Sequence, residues 1–132
     1  MLEIAVQDAA GARIAREAGA DRVEACSALE VGGLTPSLAM VEACVVEGIP
    51  VCVLVRPRAG DFVYDDAEAA VIANDVRWVV SRGAAAVVVG ALREGPAGLE
   101  LDVARLRQWA EVARERNPEV DVVVHRCVDV LF

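Results

Sequence analysis

Short apolar runs and helical stripes alternate along the whole chain. Leu2 to Val6 is the first run and reads as a strand. Asp8 stands where a helix cap is expected, and Ala10, Ile14 and Ala18 then recur at helical spacing up to Gly19, a helix-ending glycine. Arg22 to Cys26 is the second strand, followed by a loop through Gly32 and Gly33. Thr35 is placed to cap the next helix with Pro36 in its first turn, and Leu38, Val41 and Val45 form its inner stripe before Gly48. Pro50 to Val55 is the third strand. Asp65 with Glu68 has capping-box spacing for a third helix, whose apolar face runs through Ala69, Ile72, Ala73, Val76, Val79 and Val80 to Gly83. Ala85 to Val89 is apolar without alternation, as strands buried on both faces are. A loop through Gly95, Pro96 and Gly98 follows. Asp102 caps a fourth helix with Leu106, Trp109, Ala110 and Ala113 inward, and Asn117-Pro118 ends it before a fifth strand, Val120 to His125.

The order βαβαβαβαβ predicts an α/β fold with parallel strands joined by right-handed helical crossovers. Unit spacings of roughly 20 to 35 residues suit a (β/α)₈ TIM barrel, whose usual length is about 250 residues. The 132 residues present make one domain, a partial barrel that does not close. A doubly wound sheet is the rival, but no G-x-G-x-x-G follows the first strand. The fold expectation therefore leaves the first and fifth strands as unpaired edges.

In such barrels chemistry sits at the C-terminal ends of the strands. Polar residues gather there: Glu24 and Cys26 on the second strand, Arg56, Arg58 and Asp61 after the third, and His125, Arg126, Cys127 and Asp129 after the fifth. Strand parity turns Val51, Val53 and Val55 toward the helices and leaves Cys52, Leu54 and Arg56 inside. The same rule puts Arg22, Glu24, Val123 and His125 inside. Glu24, Arg56 and His125 are then expected to converge near the mouth, with Arg56 as the charge partner of a buried Glu24. An acid, a guanidinium and an imidazole can clamp an anion and move a proton. The alternative is a structural polar network that closes the top of the core. The Gly32 to Pro36 loop leads into a helix N-terminus at the same mouth, where anions are favoured, although a βα loop with a good cap has the same pattern.

Composition narrows the chemistry. The chain is 56% hydrophobic, 26% charged and only 4% aromatic, so a core of small and β-branched side chains is expected rather than disorder. A net charge of −8 disfavours nucleic acid. No apolar run is long enough to span a membrane, and no signal peptide is read at the N-terminus, which points to the cytoplasm. There is no lysine, hence no Schiff-base lysine. The cysteines Cys26, Cys44, Cys52 and Cys127 are irregularly spaced and read as free thiols. Thiols suit Cu(I). Cys26 and Cys127 lie at strand ends, whereas Cys44 and Cys52 read as core.

Four ordered motifs resemble a known family. Gly19-Ala20-Asp21-Arg22-Val23-Glu24, Gly32-Gly33-Leu34-Thr35-Pro36-Ser37, Arg56-Pro57-Arg58-Ala59-Gly60-Asp61-Phe62 and His125-Arg126-Cys127-Val128-Asp129 are similar to the GADR-ELC, EGGLTPS, RPRGGDF and HRAFD motifs of the CutC copper homeostasis family. The resemblance runs the length of the chain. It implies a cytoplasmic TIM-barrel protein with a role in copper homeostasis, and a pocket region lined by Glu24, Arg56, Arg58, Asp61, His125, Arg126 and Asp129. It also implies copper on cysteines near the first two strands. Cys26 is retained, but the companion position is Ala5. The family continues for about three more strands of the barrel. Three expectations follow: a copper-handling protein with Cys26 as ligand; an acid–base enzyme acting on a small anionic or carbonyl substrate, with Glu24, Arg56 and His125 catalytic and Thr35, Arg58, Asp61, Arg126 and Asp129 binding; or a fragment inactive on its own. A second copy or a complementing chain is the expected partner.

Overall fold

The structure is a computed structural model and describes residues 1–132. Five parallel strands form one sheet in the order β1 (Glu3–Val6), β2 (Arg22–Ala25), β3 (Val51–Leu54), β4 (Ala86–Val89) and β7 (Asp121–Val124). The sheet does not close, and β1 and β7 are its edges. This is the predicted partial barrel. Four helices cover its outer face: α1 (Ala9–Glu17), α2 (Leu38–Val45), α3 (Asp66–Ser81) and α4 (Val103–Arg116).

Parity explains the two layers. Val23, Ala25, Val51, Val53, Val55, Val87 and Val89 pack against the helices in the main core. Cys26, Cys52, Leu54, Ala86 and Val88 form a smaller cluster on the inner face, with Val123 packed on it. Trp109 of α4 is fully buried, and its indole N–H donates to the Ala69 carbonyl of α3 at 3.3 Å. That bond satisfies the one polar atom of the largest core side chain.

The helix ends largely follow the expected chemistry. Asp8 accepts from Gly11 N at 2.7 Å, and Asp65 and Glu68 form a reciprocal capping box. Ser37, not Thr35, caps α2, accepting from Met40 N at 3.2 Å. Thr35 is held elsewhere: its hydroxyl accepts from Arg56 N at 2.8 Å and donates to Arg56 O at 3.1 Å. The threonine is thus a latch on the end of β3.

Two further expectations are corrected. The Gly95 to Gly98 loop is the turn of a hairpin, β5 (Leu92–Gly95) with antiparallel β6 (Gly98–Leu101), in which Arg93 and Glu100 face each other. On α1 the buried residues are Ala12 and Ala15, whereas Ile14 is 63% exposed. The small side chains let the helix lie close on the sheet.

Candidate functional site

A cavity of about 440 Å³ opens at the C-terminal ends of the strands. Glu24, Arg56, His125 and Arg126 all line it, together with Phe62 and the apolar Leu54, Val88 and Val123. Three of these four polar residues were expected to meet, and the cavity brings them together. Their levels differ. Glu24 pairs in register with Cys52, four residues before Arg56, which is about 13 Å along the strand. Arg56 and His125 therefore form the rim, and Glu24 lies toward the floor.

Arg56 is the one charged side chain buried in the protein, 3% exposed. Its Nη1 donates to the carbonyls of Val31 (2.8 Å) and Gly33 (3.1 Å), and its Nη2 to that of Gly60 (3.0 Å). Guanidinium has five N–H donors. Two stay free, including the Nε–H, which is buried with no partner. No carboxylate pairs with Arg56, so the expected Glu24–Arg56 ion pair is not formed. Backbone carbonyls of the two flanking loops reach the guanidinium first.

Gly33 makes that possible. It has a φ of +94°, and a Cβ there would lie 2.8 Å from Leu54 Cδ2. Only glycine tolerates both constraints. Arg56 also stacks over Phe62, 5.1 Å from the ring centroid, and Arg126 approaches the same ring at 5.7 Å. Like Arg56, Arg126 has no carboxylate partner, whereas Arg58 is paired with both Asp61 and Glu68.

His125 follows β7 at the start of a 3₁₀ turn, Arg126–Leu131. Its Nδ1 accepts from Cys127 N at 3.1 Å, which assigns the proton to Nε2. That Nε2–H is buried without a partner. Burial, reinforced by Arg56 and Arg126, pulls the imidazole pKa down to about 4. At neutral pH His125 is an uncharged N–H donor. Gly90, at the end of β4, makes room for the ring: a Cβ there would lie 2.6 Å from both His125 Nδ1 and Cys127 Sγ.

Glu24 shares a hydrogen bond with Glu3 of β1, and burial together with that neighbour raises its pKa to about 7. Glu3 is itself ion-paired with Arg22 and accepts from Cys52 Sγ at 3.6 Å. The partner of Glu24 is thus a second acid rather than Arg56. Residues 3 and 22 face each other across the β1–β2 ladder.

The remaining expected site residues lie off the cavity. Arg58 stacks on Tyr64 at 4.9 Å and donates to the Val63 carbonyl at 2.8 Å, so it braces the loop after β3. Asp61 accepts from Arg58 and from Val63 N in that same loop. Asp129 is exposed on the 3₁₀ turn, and Thr35 is the latch described above. Cys26 is buried at 2% exposure, and its thiol donates to the Val6 carbonyl at 3.5 Å. Burial and the nearby Glu24 push that thiol up to about 11. All four cysteines are free and buried, and no three His, Cys, Asp or Glu side chains cluster in a way that could hold a metal ion. Cu(I) prefers thiolate. These residues do not fit a copper site.

Sequence reading missed Phe62, Glu3 and Gly90 as parts of this site. Phe62 was visible only inside a motif, and Glu3 only as a residue of the first strand. Gly90 had one signal, a glycine directly after an unbroken apolar strand.

The model of the CutC family matches residues 1–132, the whole chain. The chain belongs to the CutC family. A CutC family protein of Agrobacterium fabrum is 42% identical over 130 residues, covering 98% of this chain and 49% of its own length. The copper homeostasis protein cutC homolog of Caenorhabditis elegans is 39% identical over 133 residues, covering 99% of this chain and 50% of its own. The crystal structure of a CutC copper homeostasis protein from Streptococcus agalactiae superposes with a TM-score of 0.82 at 29% identity, over 98% of this chain and 60% of that one. A 2,3-dimethylmalate lyase of the PEP mutase/isocitrate lyase superfamily shares the fold, with a TM-score of 0.63 at 20% identity over 94% of this chain and 47% of its own. The chain thus spans about half the length of the curated relatives it matches. No helix is long and apolar enough to cross a membrane.

Proposed function

We propose that this CutC-family chain serves in copper homeostasis, the role named for its Caenorhabditis elegans relative, and that its working part is a pocket for a small anionic ligand at the barrel mouth. One observation carries the pocket: two buried N–H groups without partners, Arg56 Nε and His125 Nε2, line the same cavity. A buried donor left unpaired costs about 1–3 kcal/mol, which an acceptor on a ligand would relieve. Arg126 adds a second unpaired guanidinium at the rim.

Acid–base chemistry on a small anionic or carbonyl substrate is the second reading, favoured by the near-neutral pKa of Glu24. In that reading Glu24 exchanges the proton. Arg56, Arg126 and the neutral His125 hold the substrate's anionic head at the rim, while the proton moves at its far end, on the floor. Arg58, Asp61 and Asp129 would then shape the rim without touching the ligand.

Copper would be cargo. The buried, protonated state of the Cys26 thiol supports a role that does not run through that sulfur. The free edges of β1 and β7 support completion of the barrel by further strands.

The test is a calorimetric titration of the chain with inorganic phosphate and with acetate. Both should bind, and Arg126→Gln should weaken them about tenfold, the worth of one charge-assisted hydrogen bond. Absence of binding, or indifference to Arg126→Gln, would sink the pocket reading. Under reducing conditions, competition for Cu(I) against a chromophoric chelator should give the same result for the parent and Cys26→Ala. A loss of uptake in that variant would restore the thiol as ligand.

A further inference from the structure

The rim holds an anion's head, but it does not account for the cavity beneath. At about 440 Å³ the space extends from Arg56 and His125 down to Glu24, well beyond what phosphate or acetate would fill. Between those two levels the inner wall is apolar: Leu54 of β3, Val88 of β4 and Val123 of β7. Parity forces this, because each is the inward residue two positions before the end of its strand segment at Arg56, Gly90 and His125. Leu54 pairs with Val88, and Val88 with Val123, so the three lie side by side across the ladder. The next polar group met below them is Glu24, backed by the Glu3–Arg22 ion pair, so the floor carries one net negative charge when Glu24 is ionised.

A cationic rim, a continuous apolar wall and an acidic floor select one kind of molecule. We infer that the pocket takes a monoanion with an apolar body, its head on Arg56, Arg126 and His125, its body along Leu54, Val88 and Val123, and its tail toward Glu24. The inference rests on the anion reading of the pocket and adds a ligand class to it. A second carboxylate at the far end would meet the Glu24 carboxyl, so the floor selects against dianions of the same length. A neutral chain would leave the rim donors unpaired.

Four probes separate these statements in calorimetric or NMR titrations at pH 8: acetate, hexanoate, hexanol and adipate. Each methylene taken out of water is worth at most about fourfold in affinity. Hexanoate should therefore bind at least about tenfold tighter than acetate, given that the wall is only partly open. Hexanol and adipate should both bind at least about tenfold more weakly than hexanoate, one for want of a charged head and one through repulsion by Glu24. Glu24→Gln, checked for folding by circular dichroism, should narrow the adipate-to-hexanoate affinity ratio, read within the one variant.

Acetate and hexanoate of equal affinity would overturn the apolar-body inference while leaving the anion pocket standing. Hexanol as tight as hexanoate, or adipate as tight as hexanoate in the parent, would overturn the assigned orientation. Failure of every anion to bind would remove the pocket itself.

Discussion

Gly90→Ala tests the architecture of the site without touching a charge. Gly90 sits at the end of β4, against the ring of His125 from β7. The added methyl would lie 2.6 Å from His125 Nδ1 and 2.6 Å from Cys127 Sγ, and closer still to His125 Cε1. Relaxed carbon contacts lie at about 3.5–4.0 Å, so the ring must move by about 1 Å or more. Cys127 is fully buried, which blocks one escape. The ring must also give up the 3.1 Å bond it accepts from Cys127 N. Overpacking of this kind costs about 1–3 kcal/mol. For 132 residues the unfolding entropy is about 0.28 kcal/mol/K, so a cost of about 2 kcal/mol lowers Tm by about 7 °C. Thermal melts by circular dichroism read that shift. Phosphate affinity should fall in the same variant, because the Nε2–H leaves its place beside Arg56. A variant with unchanged Tm and unchanged phosphate binding would refute the placement of His125 against β4.

Three other outcomes follow from packing and titration. Trp109→Ala removes a fully buried indole and its bond to Ala69 O, so chemical denaturation should show a loss of about 3–5 kcal/mol. The imidazole of His125 should remain neutral on NMR titration down to about pH 4, against an ordinary value of 6.5. A folded pKa below the unfolded one means that the unfolded chain binds more protons between those values. His125 therefore makes stability fall by about 3 kcal/mol as pH drops from about 6.5 to about 4, and His125→Gln should remove that dependence in urea melts taken across the range. Glu24 acts in the opposite direction: its raised pKa stabilises the fold at low pH, and that stability is lost as pH rises through about 7. Glu24→Gln should flatten the neutral limb and leave the acidic one.

The layers of the fold were legible in the sequence because they depend only on period. A two-residue alternation is enough to send Val51, Val53 and Val55 to the helices and Cys52 and Leu54 inward. Levels along the barrel depend on register, and register is a relation between strands. Glu24 was expected at the mouth, yet it pairs with Cys52, a residue the same reasoning placed in the core well below. The β5–β6 hairpin escaped for a related reason: Gly95, Pro96 and Gly98 look like any loop, and the Arg93–Glu100 pairing has meaning only once the strands are aligned. Ile14 was misassigned because a large apolar residue outweighs alanines in any periodicity, whereas the contact of α1 is made by Ala12 and Ala15. The loss of the Glu24–Arg56 pair has a further cause. Opposite charge suggested partners, but backbone carbonyls of the Val31–Gly33 and Gly60 turns were nearer to the guanidinium.

Those carbonyls bear on the proposed anion pocket, and the thiol of Cys26 bears on copper. Holding Cu(I) at Cys26 requires a thiolate, and a thiol raised to about 11 is ionised in about one molecule in ten thousand at pH 7. It also lies under a backbone carbonyl with no second thiol opposite it, since Ala5 occupies the companion position on β1. The rim is in the opposite condition. Arg56 is fixed by three carbonyls and a phenyl ring, so little freedom remains to be lost when an anion arrives. His125 is already the neutral donor that a negative oxygen needs, and no carboxylate competes for either group. An anion would find its donors buried, aligned and unpaired at neutral pH, whereas copper at Cys26 would first have to drive off a proton that the fold retains.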